Sequence, residues 1–482
     1  VAGRIKDRSA RTTREYSIDA GRVAVVLFGL LYPILLLWAL RDFVAPTFWY
    51  MGYVWIPPAS WLFGVFSVFL AFIPVVFLPT RGIRPGTVIL WILFVIAYVP
   101  IQIIPSYSSG KGFVDLYPMQ MSVLLGYAII VTMSYLPVIR IPSLAVPSSV
   151  YFGAMALLSV VILALALGSY GLPTKLPSLT NVYDVRAEFR DQNRGINFFV
   201  LLLVSWEQKV INPLLIAYGL VNRRWMVFGF GVLGQLILFG INGQKSVFFS
   251  GFLVVAVLVA MVGRGRWLGA MVMMGAVLLV ITTAALDFIS NSVGFTSLFV
   301  RRLILTPGML TGYYFDFFST SPQVWLSNSV LAPLFDYPYG ASIPRVIGVT
   351  YFGRPELAAN ANIWADAFAN FGVAGVLAFS FILGCVIFLF NSLAMDRNLL
   401  VTSALAGMAA WTLTDTALFV GLNTHGILFS LMLVTLLPRE NASRASRKTF
   451  SIRRRQDPYH LGRRSRSRSG RRGLDWRQAS VT

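Results

Sequence analysis

The sequence predicts an all-α, polytopic integral membrane protein of about twelve transmembrane helices with one large extracytoplasmic loop. Three observations carry that expectation. Of the 482 residues, 57% are hydrophobic, only 12% are charged, and the mean hydropathy is +0.71; a soluble domain carries about 25% charged residues. The apolar residues gather into runs of about 18–20, each able to cross roughly 30 Å of hydrocarbon as a helix. The ten-residue alternation that marks barrel strands does not occur.

Residues 1–22 are basic and polar. The first apolar run follows them without a small-residue cleavage site, so no cleavable leader is expected. Spans are then expected at about 23–40, 59–78, 87–104, 119–137, 150–168, 196–220, 225–241, 247–262, 267–287, 372–390, 399–418 and 424–437. Within the sixth, Glu207, Lys209, Asn212 and Pro213 interrupt the apolar pattern. Glu207 and Lys209 fall on opposing sides of a regular helix, so they need partners on other helices, or a discontinuous helix lining a cavity. No repeat relates the two halves of this membrane domain, 23–437, as duplicated transporters require.

Basic residues set the orientation. With the N-terminus inside, 28 of the 40 Lys/Arg fall on inner segments and 11 on outer ones, with Lys209 inside a span. The tight turns RGIR at 81–84, NRR at 222–224 and GRGR at 263–266 all fall inside. Both termini are therefore expected in the cytoplasm, and the 288–371 interval outside. Residues 438–482 hold 14 Lys/Arg against three acids. Such a low-complexity Arg/Ser tail is expected to be disordered and drawn to anionic headgroups. Arg/Ser repeats also occur in RNA-binding segments, but tethering to a membrane and the lack of interleaved aromatics argue against nucleic acid.

Several chemistries are not expected. The single cysteine, Cys385, is in an apolar segment, and the histidines are only His425 and His460, so no disulfide framework or thiolate or imidazole metal centre is expected. There is no Walker loop, HExxH or nucleophile elbow. Metal-dependent membrane sugar transferases place an acidic pair in the first outer loop; here RDFVAPTFWYMGYVWIPP has only Asp42. No metal or cofactor is expected.

The 288–371 interval is the one long polar stretch between apolar segments, 84 residues in all, and the chemistry is expected there. It closes on ANANIWADAFANFG at 359–372. On a helix, Asn362, Asp366 and Asn370 would share one face, i, i+4, i+8, with the helix running on through Gly372 and Gly375 into the tenth span. The stripe either faces a ligand or simply meets water or caps a neighbouring helix. Arg301, Arg302, Arg345 and Arg354 suit phosphate or carboxylate, because a guanidinium forks onto two oxygens. On a straight helix Arg301 and Arg302 would point about 100° apart, so a shared phosphate needs a bend near Pro307-Gly308. Tyr313, Tyr314 and neighbouring aromatics suit either a membrane interface or stacking on sugar faces. Lys245, in NGQKS, adds an outer cation. His425, in GLNTHG, is either a general base or a hydrogen-bonded structural residue. Asp415, in the eleventh span, is an ionisable group at membrane depth and by default a functional suspect.

With these residues in view, the chain resembles the O-antigen polymerase family of oligosaccharide repeat-unit polymerases. The resemblance rests on VINPLLIAYGLVNRR at 210–224, NGQKS at 242–246, RRLILTPGMLTGYYFDFFS from Arg301, YPYGASIPRVIGVTYFGRPELAANANIWADAFANFGVAG from Tyr337, and GLNTHG at 421–426. It covers roughly the second half; the Arg/Ser tail is outside the family pattern. The resemblance implies metal-independent glycosyl transfer at the outer leaflet of a bacterial cytoplasmic membrane. A growing glycan on polyprenyl diphosphate would move onto a lipid-linked repeat unit, with a chain-length regulator and a flippase as possible partners. It implies Arg301, Arg302, Arg345, Arg354 and Lys245 for the diphosphate, Asp366 or His425 as base, and Asn362, Asn370, Tyr313 and Tyr314 for the glycan. A lipid-linked oligosaccharide flippase or other twelve-span transporter, an O-antigen ligase and a non-enzymatic scaffold are the rival readings.

Overall fold

The computed structural model describes residues 19–440, apart from 143, 145, 174, 175, 178–181, 264, 328 and 330. Segments 1–18 and 441–482 lie outside the described residues, and with them the expected disorder and headgroup attraction of the tail. The chain divides into Val1–Pro438 and Arg439–Thr482, and the helices belong to the first of these units.

Every regular element among the described residues is helical. In order these are α1 (Ala20–Met51), α2 (Trp61–Phe77), α3 (Gly86–Ser108), α4 (Phe113–Ser134), α5 (Ser148–Tyr170), α6 (Val182–Gln192), α7 (Phe198–Val221) and α8 (Trp225–Asn242). Then come α9 (Lys245–Ala260), α10 (Leu268–Ser290), α11 (Thr296–Leu305 running on as Thr306–Thr320), α12 (Ile343–Phe352), α13 (Ile363–Leu393), α14 (Leu399–Leu413) and α15 (Leu418–Leu436, opened at 423–426). Nine are long and apolar enough to cross a membrane; α2, α9 and α14 are apolar but shorter, at 15–17 residues. The chain is a polytopic membrane protein.

Helix α3 is the axis of the bundle. It is buried continuously from Gly86 to Ser106, which explains why it is apolar on every side. Apolar packing against lipid is no worse than packing against Leu, so interhelical polar contacts and close backbone approach hold such bundles together. Tyr32 of α1 donates to Val95 O at 2.9 Å, Tyr127 of α4 to Leu90 O at 2.9 Å, and the α3 residue Tyr98 to Leu70 O at 2.8 Å. Gln102 and Gln120 donate to each other's backbone carbonyls at 3.1 and 2.7 Å. Gly308 of α11 lies so close that a Cβ there would sit 2.5 Å from Pro100 O.

Four segments widen from α to π geometry: Leu40–Val44, Phe94–Tyr98, Glu207–Ile211 and Thr296–Leu305. Each ends two residues before a proline: Pro46, Pro100, Pro213 and Pro307. Proline has no N–H for the carbonyl four residues back, and its ring collides with that carbonyl. The residue before each proline instead donates five residues back, as Asn212 N does to Glu207 O and Thr306 N to Arg301 O. Two of these wide turns carry Glu207 with Lys209 and Arg301 with Arg302.

The 288–371 interval differs from the loop the sequence suggests. Its first half is folded into the bundle as α11, whose face Thr306–Thr311 is buried against α3 and α13. The turn leading into it is fixed by Asp287, whose carboxylate accepts Phe295 N at 2.8 Å and Thr296 N at 2.6 Å. Helix α13 is also not continuous. It breaks at Phe371 and Gly372, where Gly372 takes φ +60°, a conformation glycine adopts without a Cβ penalty. The carbonyls of Ala369 and Asn370 accept Val324 N at 3.0 Å and Trp325 N at 3.2 Å, so the polar loop is stitched into the break.

Candidate functional site

Two sets of chain turns come together at opposite ends of the bundle. At one end Gly82 N donates to Gly265 O, Arg84 to Ser134 O and Leu136 O, and Gly86 N to Asn391. At the other, Tyr313 reaches Gly52 O, Lys111 pairs with Asp316, and Arg186 donates to Gly243 O at 2.9 Å. The sequence-nominated residues belong to this second end.

Arg301, half-buried on the wide turn of α11, donates through Nε and Nη2 to Ser297 Oγ at 3.0 and 2.9 Å. Its guanidinium lies 4.2 Å from the ring centre of Phe48 and 5.5 Å from that of Tyr53, so aromatic faces partly offset its charge. No carboxylate pairs with it among the described residues. Lys245, which opens α9, lies within electrostatic reach of Arg186, Arg302 and Arg301. Four cations from three separate elements therefore share one neighbourhood. Arg302, exposed, also acts on Asp415, as does Lys209. Helix α14 ends at Leu413, so Asp415 lies in the turn before α15, outside the span expected to contain it. It is accessible yet surrounded by protein. Burial pushes its carboxyl above the ordinary value, and the Lys209 and Arg302 charges oppose that rise.

Lys209 comes from the wide turn of α7, which packs against the 421–429 turn. There Trp206 donates to Asn423 O at 3.2 Å and stacks on Phe429 with centroids 4.5 Å apart. His425 Nδ1 lies 3.3 Å from Ser205 Oγ, and Lys209 acts on His425 electrostatically. Glu207, on the same wide turn, is fully buried and accepts from Ser159 of α5 at 2.5 Å.

Other nominated residues have structural work. Asn362 lies just outside the helix it was expected to join. Its Oδ1 caps α13 by accepting Trp364 N at 3.0 Å and Ala365 N at 3.3 Å, and its Nδ2 donates to Thr311 Oγ1 at 2.7 Å. It is fully buried, so it has no surface to offer a glycan. Tyr314 is likewise buried, its hydroxyl donating to Ala359 O at 3.0 Å. Asn370 is buried, accepts Leu326 N at 2.8 Å, and donates to Asp366 Oδ1 at 3.2 Å. The three-residue stripe is therefore a brace, since only Asp366 retains partial exposure. Tyr313 stacks on Tyr351 at 4.4 Å.

Arg345 and Arg354 are exposed, one on α12 and one just after its Gly353 cap. No interaction among the described residues links either to the Arg301 group. Helix α12 is held to α11 by Asp316, which accepts Tyr351 Oη at 2.6 Å and pairs with Lys111. Burial works against ionisation of Asp316, but the hydrogen bonds from Lys111 and Tyr351 and the Lys111 charge hold its carboxyl below the usual value.

Sequence reasoning missed Arg186 and the aromatic bed of Arg301. Arg186 was visible only as one of several outer charges, and Phe48 and Tyr53 only as members of an aromatic-rich loop. An apolar cavity of about 560 Å³ opens beside that loop, lined by Ile34, Trp38, Trp55 and Ile281 with Arg41 at its edge. Among the described residues no group of acidic, histidine and cysteine side chains has the arrangement of a metal site.

No protein-family model, curated protein or solved structure matches the chain.

Proposed function

We propose that the chain is an oligosaccharide repeat-unit polymerase. It would transfer a glycan from polyprenyl diphosphate onto a lipid-linked repeat unit, at the outer leaflet of a bacterial cytoplasmic membrane, in surface polysaccharide synthesis. In this reading all twelve apolar helices cross the membrane, the termini are cytoplasmic, and the Arg301 end of the bundle faces outward.

The observation that carries the proposal is the convergence of Arg186, Lys245, Arg301 and Arg302 from three separate elements. Positive-inside statistics give no reason to keep cations on an outer face, and like charges assembled in one place repel. A polyanion at Arg301, which meets no carboxylate among the described residues, offsets that cost. A leaving diphosphate develops negative charge as its bond to the sugar breaks, and cations fixed in place stabilise that charge without reorganisation. The apolar cavity beside Trp38 and Trp55 gives an isoprenoid tail room near the same end of the bundle. The resemblance of the second half to O-antigen polymerases supplies the substrate class.

The test uses purified protein in lipid nanodiscs with lipid-linked repeat units. Wild type should yield a ladder of polymers. Arg301→Ala, Arg302→Ala and Lys245→Ala should each lower elongation by about 10²-fold or more, the usual cost of losing one charge-stabilising donor. Undiminished polymer from the triple variant would sink the proposal. Transfer of finished chains to another acceptor, with no lengthening, would indicate a ligase. A flippase is the second reading, favoured by one observation: fully buried Glu207 has an oxygen without a partner among the described residues. Movement of lipid-linked units across the bilayer without elongation would select it.

A further inference from the structure

The wide turn of α7 places a carboxyl group where no cation meets it. Glu207 is fully buried, and so is Ser159 of α5, whose hydroxyl donates to Glu207 Oε1 at 2.5 Å. The second oxygen, Oε2, is enclosed and has no partner among the described residues. Lys209, two positions on, makes no ion pair with it. The other titratable groups on α7 and on the helices packed against this turn are Tyr218, Tyr151 and Tyr170 of α5, Lys245 at the first position of α9, and His425 in the opening of α15; α8 and α14 carry none. Tyr218 stacks on Phe152, Tyr151 donates to Leu433 O at 3.1 Å, Tyr170 donates to Asn193 Oδ1 at 2.6 Å, and His425 faces Ser205. A buried anion with a single donor is costly, and a carboxyl so placed keeps its proton instead. The residues beside Glu207 are neutral and polar. Asn242 of α8 donates to Gln208 Oε1 at 2.8 Å, and Gln235 donates to Gln208 O at 2.8 Å and to Ser250 of α9. Asn242 Oδ1 accepts Gln244 N at 2.8 Å, in the turn whose Gly243 O accepts from Arg186. Hydrogen-bonded polar groups, not hydrocarbon, therefore join the turn that carries Glu207 to the end of the bundle where Arg186 lies.

We propose that Glu207 is a proton-binding site: a neutral carboxylic acid, held by Ser159, that exchanges its proton by way of the polar strip. The inference goes beyond the polymerase reading and stands whether the chain elongates glycans or moves them. The proton sits on Oε2, while Oε1 accepts the Ser159 hydroxyl. Loss of the proton leaves a buried carboxylate with one donor, so release requires the α5–α7 contact to open and admit another partner to Oε2. Proton release is thereby tied to a movement of the wide turn. A π-turn suits that task, because such turns interrupt the regular helix ladder and recur at functional sites. Gln208, the next residue, would carry the movement to Asn242 and the 243–245 turn.

Two measurements on the full-length protein test the site. In the first, protein in lipid nanodiscs is treated with dicyclohexylcarbodiimide, an apolar reagent that needs the carboxyl proton. The acid gives its proton to a carbodiimide nitrogen and its oxygen adds to the central carbon; the acyl group then migrates from oxygen to nitrogen, and nothing leaves. Peptide mass spectrometry should find the acylurea on Glu207, forming about tenfold more slowly for each pH unit once the acid ionises, and none in Glu207→Gln. In the second, thermal unfolding in detergent is followed against pH. A proton held more tightly in the folded than in the unfolded chain makes stability fall as pH rises. Glu207→Gln, a neutral side chain of the same shape, should match wild type within about 3 °C at low pH and escape part of the decline above it. Parallel curves for the two proteins overturn the proposal. So does a Glu207→Gln protein that is unstable at every pH or does not fold, since the fold would then need the anion. Diverging curves without an acylurea would mean that the proton is held but not exchanged, which overturns the exchange. Labelling suppressed by sodium, with choline as the control at equal ionic strength, would make the ligand an alkali cation and overturn the proton assignment. Neither measurement uses a glycan, so failure of the polymerase reading leaves this result standing.

Discussion

Asn362 uses both halves of its amide inside the fold: the oxygen caps α13 and the nitrogen bonds Thr311 of α11. A residue of this kind governs stability rather than substrate affinity. Asn362→Ala should cost about 1–3 kcal/mol, combining a lost cap with a buried hydroxyl left short of a donor. Thermal unfolding in detergent should show that loss, while KM for lipid-linked units in the folded fraction stays within about twofold. A KM rise of tenfold or more at unchanged stability would instead restore Asn362 to a glycan-binding role. Arg301 is the opposite case. Ser297 and two aromatic rings hold it, which leaves its guanidinium oriented but without a carboxylate among the described residues.

At the level of the helix, the proline-driven wide turns decide where charges point. Pro307 forces the π geometry of Thr296–Leu305, and that geometry sets the directions of Arg301 and Arg302. Restoring an N–H with Pro307→Ala permits an ordinary α-turn, which would rotate the preceding residues relative to α3. The substitution should leave unfolding temperature unchanged or higher, because an N–H is restored to the helix ladder and the residue-307 carbonyl that accepts from Thr311 remains. Elongation should nonetheless fall roughly 10–100-fold, the scale on which small misplacements near reacting atoms act. Full activity in a stable Pro307→Ala protein would show that the wide turn is dispensable.

Across the whole bundle, the pairing of turns at two ends makes a topological prediction. Ile83 and Ile139 belong to one end, and Val114 and Val349 to the other; all four are exposed. With Cys385 replaced by serine, single cysteines can be placed at each. A membrane-impermeant thiol reagent on intact cells should label Val114→Cys and Val349→Cys, but reach Ile83→Cys and Ile139→Cys only after permeabilisation. Labelling of both pairs alike, or the reverse pattern, would refute the assigned orientation and with it an outward-facing site.

Much of this architecture follows from composition and spacing. Among the described residues twelve apolar helices occur where apolar runs are found, because a chain with 12% charged residues has few alternatives to burial in lipid. The prolines after the four wide turns are also visible in the sequence, although Pro33, Pro74, Pro105 and Pro118 sit inside helices without widening them. Which prolines act in this way depends on the neighbouring helices. Site membership is less legible. Arg301, Arg302 and Lys245 can be nominated as outer cations, but so can Arg345 and Arg354, which the fold leaves apart on α12. Arg186 looks no different from other loop charges, and Asp415 reads as a membrane-depth residue until the end of α14 places it in a turn. Local pattern reports whether a residue can enter lipid or cap a helix. Convergence of residues 220 positions apart, such as Ser205 and His425, depends on how helices pack around α3, and no local pattern encodes that.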